Sequence, residues 1–215
     1  VGNMVLVGAE IACGDPSTDV SEFPNDWLAG VFKEQSLNNI INLNIHEYVH
    51  TQQKGEGDNL LAACIHEGAC DFITELVIEK QMAANYIKYG LAHEESLKAS
   101  FKNEIFGPAF SNWLYNGSKA KTVADLGYFM GYAICKSYYK NAADKQKAIK
   151  EIIELNLSKS EAVEHFLLQS KYYTEPIDKA ALIKAYESKR PFVVSLSPFN
   201  HNDTLVDASL TDMQI

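Results

Sequence analysis

The apolar residues in the first half of the chain recur at three- and four-residue spacing, which is the period of an amphipathic helix. Over 36–54 they form one such stripe, so the sequence predicts a first helix there. The next stretch, 58–89, has almost no helix breaker and predicts a second helix that is broken near Asn85 and ends at Gly90. Because the turn at 54–59 is short, we expect the two helices to lie side by side.

Further helices are predicted in the second half of the chain. Helical patterns occupy 93–105, 122–140 and 143–155. Ser158, with Glu161 three residues later, forms a capping box that predicts another helix start. Pro176 marks the start of a last helix, which ends near residue 189.

The two ends of the chain carry β-type patterns. The apolar run at 4–11 is too short for a globular helix and predicts a strand, whose edge either receives an extended peptide or is purely structural. Residues 191–215 are β-branched and turn-rich, and they stop inside a strand-like pattern. The predicted fold class is therefore mainly α with a small N-terminal β element, an α+β arrangement, and a truncated β segment at the C-terminus. We expect one domain over 1–190 and an incomplete second module over 191–215.

The composition indicates a globular protein and argues against some classes of binding partner. The chain has 215 residues, of which 47% are hydrophobic, with only 6 Pro and 12 Gly, which is typical of a helix-rich globular protein. The net charge of −9 repels nucleic-acid backbones and anionic membrane surfaces. No apolar run reaches the length of a membrane-spanning helix, and the first residues lack a signal-peptide pattern. The cysteines form no C-x-x-C pair, and Cys64 and Cys70 are expected to be small buried residues.

The first predicted helix contains the motif with the clearest chemistry. Residues 46–50 read His-Glu-Tyr-Val-His, so His46 and His50 lie at i and i+4 on one helix face, where both imidazoles reach one zinc ion. Glu47 projects beside them. Hydrolysis needs a carboxylate at this position, whereas metal binding alone does not, so Glu47 is the predicted general base.

The second predicted helix supplies the third ligand that a catalytic zinc ion needs. We predict that Glu67 is this ligand. Asp71 lies one turn further on and is predicted to accept a hydrogen bond from the ring of a zinc-bound histidine. Three rivals for the third position are His66, about a quarter-turn from Glu67, Asp71, which is better suited to the hydrogen-bonding role, and Glu75, two turns on. The remaining histidines, His93, His165 and His201, have no partner pattern.

Peptide hydrolysis also needs a hydrogen-bond donor for the oxyanion, usually a Tyr or His side chain. Tyr128 and Tyr132 lie at i and i+4 in the helical pattern of 122–140, next to Gly127 and Gly131, which allow close backbone approach. Tyr132 is our candidate for this donor, although aromatic residues at that spacing also suit a helix core.

These motifs resemble those of gluzincin metallopeptidases, in which H-E-x-x-H precedes a helix that bears E-x-x-x-D. The stretches N-I-H-E-Y-V-H-T-Q-Q and H-E-G-A-C-D-F-I-T-E-L are similar to those of predicted zinc-dependent proteases of Bacteroidetes lipoproteins, including gliding-motility-type lipoproteins. Residues 131–138 resemble their later motif, G-Y/W-x-I-x-x-S-Y, and the likeness covers about 1–189. It implies a zincin-like fold, Zn²⁺ as cofactor and a peptide or protein substrate.

The tail at 191–215 is similar to the opening of bacterial Ig-like domains. This resemblance implies a periplasmic, cell-surface or secreted protein whose signal segment, and any lipid anchor, lie outside this sequence. Two other functions stay open. One is a non-catalytic surface or binding module in which zinc is structural, and the other is a zinc amidase that acts on a non-peptide amide.

Overall fold

The structure is a computed structural model, and α-helices make up most of it. It describes residues 5, 8, 12–23, 29–32, 39–107, 110–120, 122–175, 177–188, 193–195 and 205–207. The predicted mainly α class is therefore confirmed. The N-terminal strand predicted at 4–11 lies outside the described residues except for Val5 and Gly8. The chain divides into two compact units, 1–177 and 178–215.

The helices with described bounds are numbered here in chain order, and the short helical stretch at 29–32 is left unnumbered. In the first unit they are α1 (Asn39–His50), α2 (Leu60–Ile78), α3 (Asn85–Lys102), α4 (Leu126–Asn141), α5 (Lys145–Ile153) and α6 (Ser160–Ser170), with a 3₁₀ turn at Gly117–Lys119. The second unit contains α7 (Lys179–Glu187) and two antiparallel strands, β1 (Val193–Ser195) and β2 (Leu205–Asp207). The Ig-like identity of the tail and the boundary at residue 190 stay predictions.

Helix α2 forms the centre of the first unit, because it packs against both α1 and α4. Nearly every residue from 60 to 74 is buried. At its start the Asn59 side chain accepts a hydrogen bond from the Ala62 amide at 3.0 Å. The amides of residues 60 and 61 donate to carbonyls of the 105–107 segment. The first backbone donors of α2 are thus paired inside the protein, as a buried helix end requires.

Two glycines allow α2 and α4 to meet backbone against backbone. A Cβ atom at Gly68 would overlap the main chain of Gly131 and Tyr132, and a Cβ atom at Gly131 would overlap the carbonyl group of Cys64. Only glycine permits this approach. Because Gly68 directly follows Glu67, the contact sets how close α4 lies to the predicted metal ligand.

The end of α1 differs from the prediction. The helix ends at His50 instead of Lys54. The next three amides, at residues 51–53, donate to carbonyls three positions earlier, so the chain tightens into turns after His50. The loop from there to Leu60 is short, and the expected side-by-side packing of α1 and α2 is confirmed.

The predicted break near Asn85 is confirmed, but the predicted helix end at Gly90 is wrong. Helix α2 already ends at Ile78, where Glu79 adopts a left-handed conformation with φ of 51°. Helix α3 begins at Asn85, passes through Gly90 and continues across a kink at His93. Gly90 does not end a helix because its role is packing: it lies against the ring of Phe129, where a Cβ atom has no room.

Helices α4 and α5 match the predictions at 122–140 and 143–155 to within a few residues, but the predicted capping box does not form. The amide and hydroxyl groups of Ser158 bind the Asn156 side chain at 3.2 and 2.7 Å, and α6 begins at Ser160. Before α7 the Asp178 carboxylate accepts a hydrogen bond from the Ala181 amide at 2.9 Å. Pro176 lies outside the described residues.

Cys64, Cys70 and Cys135 are buried free thiols, which confirms the expectation for the first two. Cys13 is a free and exposed thiol. No helix among the described residues combines the length and the apolar character needed to cross a bilayer.

Gly131→Ala should destabilise the first unit, because the added methyl group overlaps the Cys64 carbonyl. Overpacking costs about 1–3 kcal/mol, and a rigid backbone neighbour favours the upper end. Urea unfolding followed by circular dichroism measures the loss. Gly30→Ala is the control, since among the described residues outside its own helix no atom lies within 4 Å of its added Cβ atom, and it should leave stability unchanged or raise it by up to about 1 kcal/mol. Wild-type stability of Gly131→Ala would contradict the backbone contact.

Candidate metal centre

Helices α1 and α2 bring three of the predicted ligands together. The Nε2 atoms of His46 and His50 are 3.1 Å apart. The Oε2 atom of Glu67 lies 3.4 Å from the first nitrogen and 3.3 Å from the second. All three side chains are largely buried, and their donor atoms form a nearly equilateral triangle.

The size of this triangle fits a zinc ion. Zinc–ligand bonds of about 2.0–2.1 Å at tetrahedral angles put neighbouring ligand atoms about 3.4 Å apart. The three separations, 3.1, 3.3 and 3.4 Å, agree with that edge length. Two imidazoles and one carboxylate are also a donor set of catalytic zinc sites, where the fourth position is open to water or substrate. The residues present therefore fit the predicted metal.

Asp71 lies within hydrogen-bond distance of the His46 ring, and its role toward a metal ligand stays a prediction. The ring Nδ1 atom of His46 lies 2.9 Å from Asp71 Oδ1, and because a carboxylate only accepts, Nδ1 donates and Nε2 faces Glu67. Burial lowers the pKa of His46, but the hydrogen bonds and charges of Asp71 and Glu67 outweigh it and raise the pKa to about 9. A metal ion therefore competes with a proton for Nε2.

Gln53 orients His50 in the same way, and the sequence analysis missed it. The Gln53 amide nitrogen donates to the backbone carbonyl of His66 at 2.7 Å, so the amide oxygen must face His50. That oxygen lies 2.7 Å from His50 Nδ1, which donates and leaves Nε2 for a metal. Burial lowers the pKa of His50, yet the hydrogen bond and charge of Glu67 raise it above the ordinary value.

The two oxygens of Glu67 have different partners. Oε2 faces the two imidazoles, whereas Oε1 accepts a hydrogen bond from the Tyr115 hydroxyl at 2.9 Å. Burial raises the pKa of Glu67, but hydrogen bonds with His46, His50 and His66 bring it far below its usual range. The carboxylate is thus held ionised, with one oxygen directed at the imidazoles.

Tyr115 is an unusual residue in this site. Its φ is 55°, a left-handed conformation that is rare for an aromatic residue and costs about 1–3 kcal/mol. It is 68% exposed. Partial desolvation of the hydroxyl and the charge of the neighbouring Glu67 carboxylate raise the pKa of Tyr115, so the hydroxyl keeps its proton and is able to donate.

A cleft of about 1060 Å³ opens onto this centre. His46, Glu47, Asp71 and Tyr128 all line it. Glu47 makes no hydrogen bond or ion pair with any residue that the structure describes, so its carboxylate is available to a bound molecule. The Tyr128 ring stacks on the His46 ring with centroids 6.3 Å apart, and covers one side of the imidazole.

The predicted oxyanion donor, Tyr132, has partners elsewhere. Its hydroxyl lies 2.8 Å from both carboxylate oxygens of Glu75 and 2.6 Å from Lys136 Nζ. Glu75 also accepts from Lys136 and from the Met82 amide. Both Tyr132 and the rival ligand Glu75 are therefore engaged in a separate network between α2 and α4.

The other histidines differ in their distance from the centre. His66 lies beside it, with Nδ1 3.7 Å from Glu67 Oε1 and its ring centroid 4.4 Å from that of His50. His93 lies in α3, where it binds the Tyr89 carbonyl. His165 lies in α6, and His201 lies outside the described residues.

Comparison with known proteins gives one match. A family model described as "Predicted Zn-dependent protease (DUF2268)" matches residues 25–159, which is more than half of the chain and includes α1 and α2. Neither the curated proteins nor the solved structures contain a match.

Asp71→Asn should weaken zinc binding by about 10- to 100-fold, because the amide no longer holds His46 with the charge of a carboxylate. Competition with a chelating dye measures the affinity. Asp58→Asn removes an exposed carboxylate just before α2 and should bind zinc like wild type. Equal affinities of the two variants would mean that Asp71 does not orient the ligand.

Gln53→Ala tests the second orienting contact. Loss of its hydrogen bonds to His50 and to the His66 carbonyl should weaken zinc binding at least about tenfold. Gln52→Ala is the matched control, since the neighbouring Gln52 is exposed and its amide nitrogen binds only the Thr51 hydroxyl among the described residues. The same dye competition decides between them, and an unchanged affinity in Gln53→Ala would refute this role.

Proposed function

Because this chain belongs to the family of predicted Zn-dependent proteases (DUF2268), we propose that it is a zinc metallopeptidase that hydrolyses peptide bonds. One observation carries the proposal: the donor atoms of His46, His50 and Glu67 are spaced as the ligands of one tetrahedral zinc ion. The substrate we propose is a peptide or protein whose scissile bond lies in the cleft beside Glu47.

His46, His50 and Glu67 would hold the metal, with Asp71 and Gln53 keeping the two imidazoles in the binding tautomer. Zinc held there supplies Lewis-acid polarisation of the scissile carbonyl and lowers the pKa of water. The three ligand side chains are largely buried, which strengthens the electrostatic interactions among them.

Glu47 is the general base in this proposal. Its carboxylate takes a proton from the water whose oxygen attacks the carbonyl carbon, and later gives that proton to the leaving nitrogen as the C–N bond breaks. Two features support the assignment. Glu47 lines the same cleft as His46, and it has no partner among the described residues to hold its carboxylate away from substrate.

For the oxyanion donor, the contacts favour Tyr115 over the earlier candidate Tyr132. The Tyr132 hydroxyl binds Glu75 and Lys136, whereas the Tyr115 hydroxyl lies 2.9 Å from a proposed zinc ligand, Glu67. The Tyr115 ring is exposed, so it is able to turn its hydroxyl from Glu67 to a substrate oxygen.

The cellular location of the protein is a separate proposal. We propose a periplasmic, cell-surface or secreted protein, on the resemblance of 191–215 to the opening of Ig-like domains. The net charge of −9 supports a role without nucleic acid. Contact with a membrane would then depend on a lipid anchor outside this sequence.

Glu47→Gln tests the function, because it removes the proton acceptor and keeps the size of the side chain. Peptide hydrolysis should fall by about 10²- to 10⁴-fold, while zinc content and melting temperature stay near wild type. Cleavage of a diverse peptide mixture, with and without chelator, is followed by mass spectrometry.

Glu56→Gln is the matched control, since Glu56 is exposed in the loop between α1 and α2, and it should cleave like wild type. If Glu47→Gln cleaves as fast as wild type, the mechanism is wrong. If wild type holds zinc but cleaves no peptide, the metallopeptidase proposal is wrong, and the non-catalytic binding module and the zinc amidase on a non-peptide amide are the remaining functions.

A further inference from the structure

His66 lies beside the proposed zinc ligands but contributes no atom to their triangle. It precedes Glu67 on α2, and its Nδ1 atom is 3.7 Å from Glu67 Oε1. Its side chain is 29% exposed, so an ion reaches it from solvent. Donor atoms of His50, His66 and Glu67 all lie within 4.8 Å of one another, which is a grouping typical of a metal site.

This grouping shares His50 and Glu67 with the first one, and the two oxygens of Glu67 have different neighbours. The first grouping uses Oε2, while Oε1 is directed at His66 and at the Tyr115 hydroxyl. Two ligands of one zinc ion with bonds of about 2.0–2.1 Å cannot lie more than about 4.2 Å apart. The separation of 3.7 Å between His66 Nδ1 and Glu67 Oε1 satisfies this limit.

We propose that His66 Nδ1 and Glu67 Oε1 bind a second divalent cation of the zinc type, so that the Glu67 carboxylate bridges two ions. Carboxylates bridge ions in this manner in two-metal sites. The inference rests on the proposed function, because Oε2 must hold the first ion. An imidazole nitrogen with a carboxylate oxygen selects zinc over calcium or magnesium, which prefer oxygen ligands alone.

The second ion binds more weakly than the first. It has two protein donors instead of three, and it must displace the Tyr115 hydroxyl from Oε1. The first site therefore fills at low zinc concentration and the second only at higher concentration. An ion in the second site occupies Glu67 Oε1, which otherwise accepts the hydrogen bond of the Tyr115 hydroxyl. It also places a positive charge beside Tyr115, the proposed oxyanion donor. Excess zinc should therefore inhibit hydrolysis.

Equilibrium dialysis of the full chain against rising free zinc tests the inference. Wild type should bind one ion tightly and a second at least about tenfold more weakly. His66→Gln and His66→Ala should retain the tight ion and lose the second, and their hydrolysis should resist excess zinc. His93→Gln, which changes an exposed histidine on α3, should still bind two ions. Near-ultraviolet circular dichroism checks that each variant is folded.

Four outcomes separate this inference from the proposed function. A wild-type chain that saturates at one ion, with none bound by His46→Gln, overturns the second site and leaves the proposed function intact. A wild-type chain that binds no zinc overturns the proposed function. Loss of the tight ion in both His66 variants would make His66 a ligand of the first site and overturn the bridge. Two ions in both His66 variants would also overturn it.

Discussion

The backbone contact between α2 and α4 is the constraint on which the rest of the structure depends. At Gly68 and Gly131 the two helices approach so closely that neither position has room for a Cβ atom. Glu67, the residue before Gly68, faces α1 and binds its two histidines. Consecutive residues of α2 thus contact two different helices, Glu67 contacting α1 and Gly68 contacting α4. The distance between α2 and α4 at Gly68 therefore also fixes where the Glu67 carboxylate lies relative to α1.

Charge explains why α1 docks where it does. Helix α2 is buried over most of its length, yet it carries the carboxylates of Glu67 and Asp71, and an unpaired buried charge is very unfavourable. His46 contacts both carboxylates, and His50 contacts Glu67. The contacts that relieve the buried charges are also the contacts that bring the proposed zinc ligands together. Removing one partner therefore affects helix packing as well as chemistry.

The sequence predicted the parts of the site that depend on helical spacing. His46 and His50 share a face because they are four residues apart, and a short turn brings Glu67 opposite them. Gln53 was missed because it reaches the His50 ring only when α1 ends at His50. That ending depends on turn hydrogen bonds at 51–53, which no residue type in the sequence signals. Tyr115 was missed because a loop carries it to α2 from 48 residues away in sequence. The end of α2 was misplaced because Glu79 takes the left-handed conformation that glycine usually signals.

Gln53 also limits how α1 and α2 move. Its amide group binds the His50 ring at the end of α1 and the main chain of α2, so sliding of one helix along the other breaks the hydrogen bond to the His66 carbonyl. Packed helices commonly move by such shear displacements, and here that motion is opposed. The two helices that bear the ligand set should therefore behave as one rigid body. Adjustment to different substrates would then fall to the walls of the cleft formed by other segments, including the loop that leads into α3.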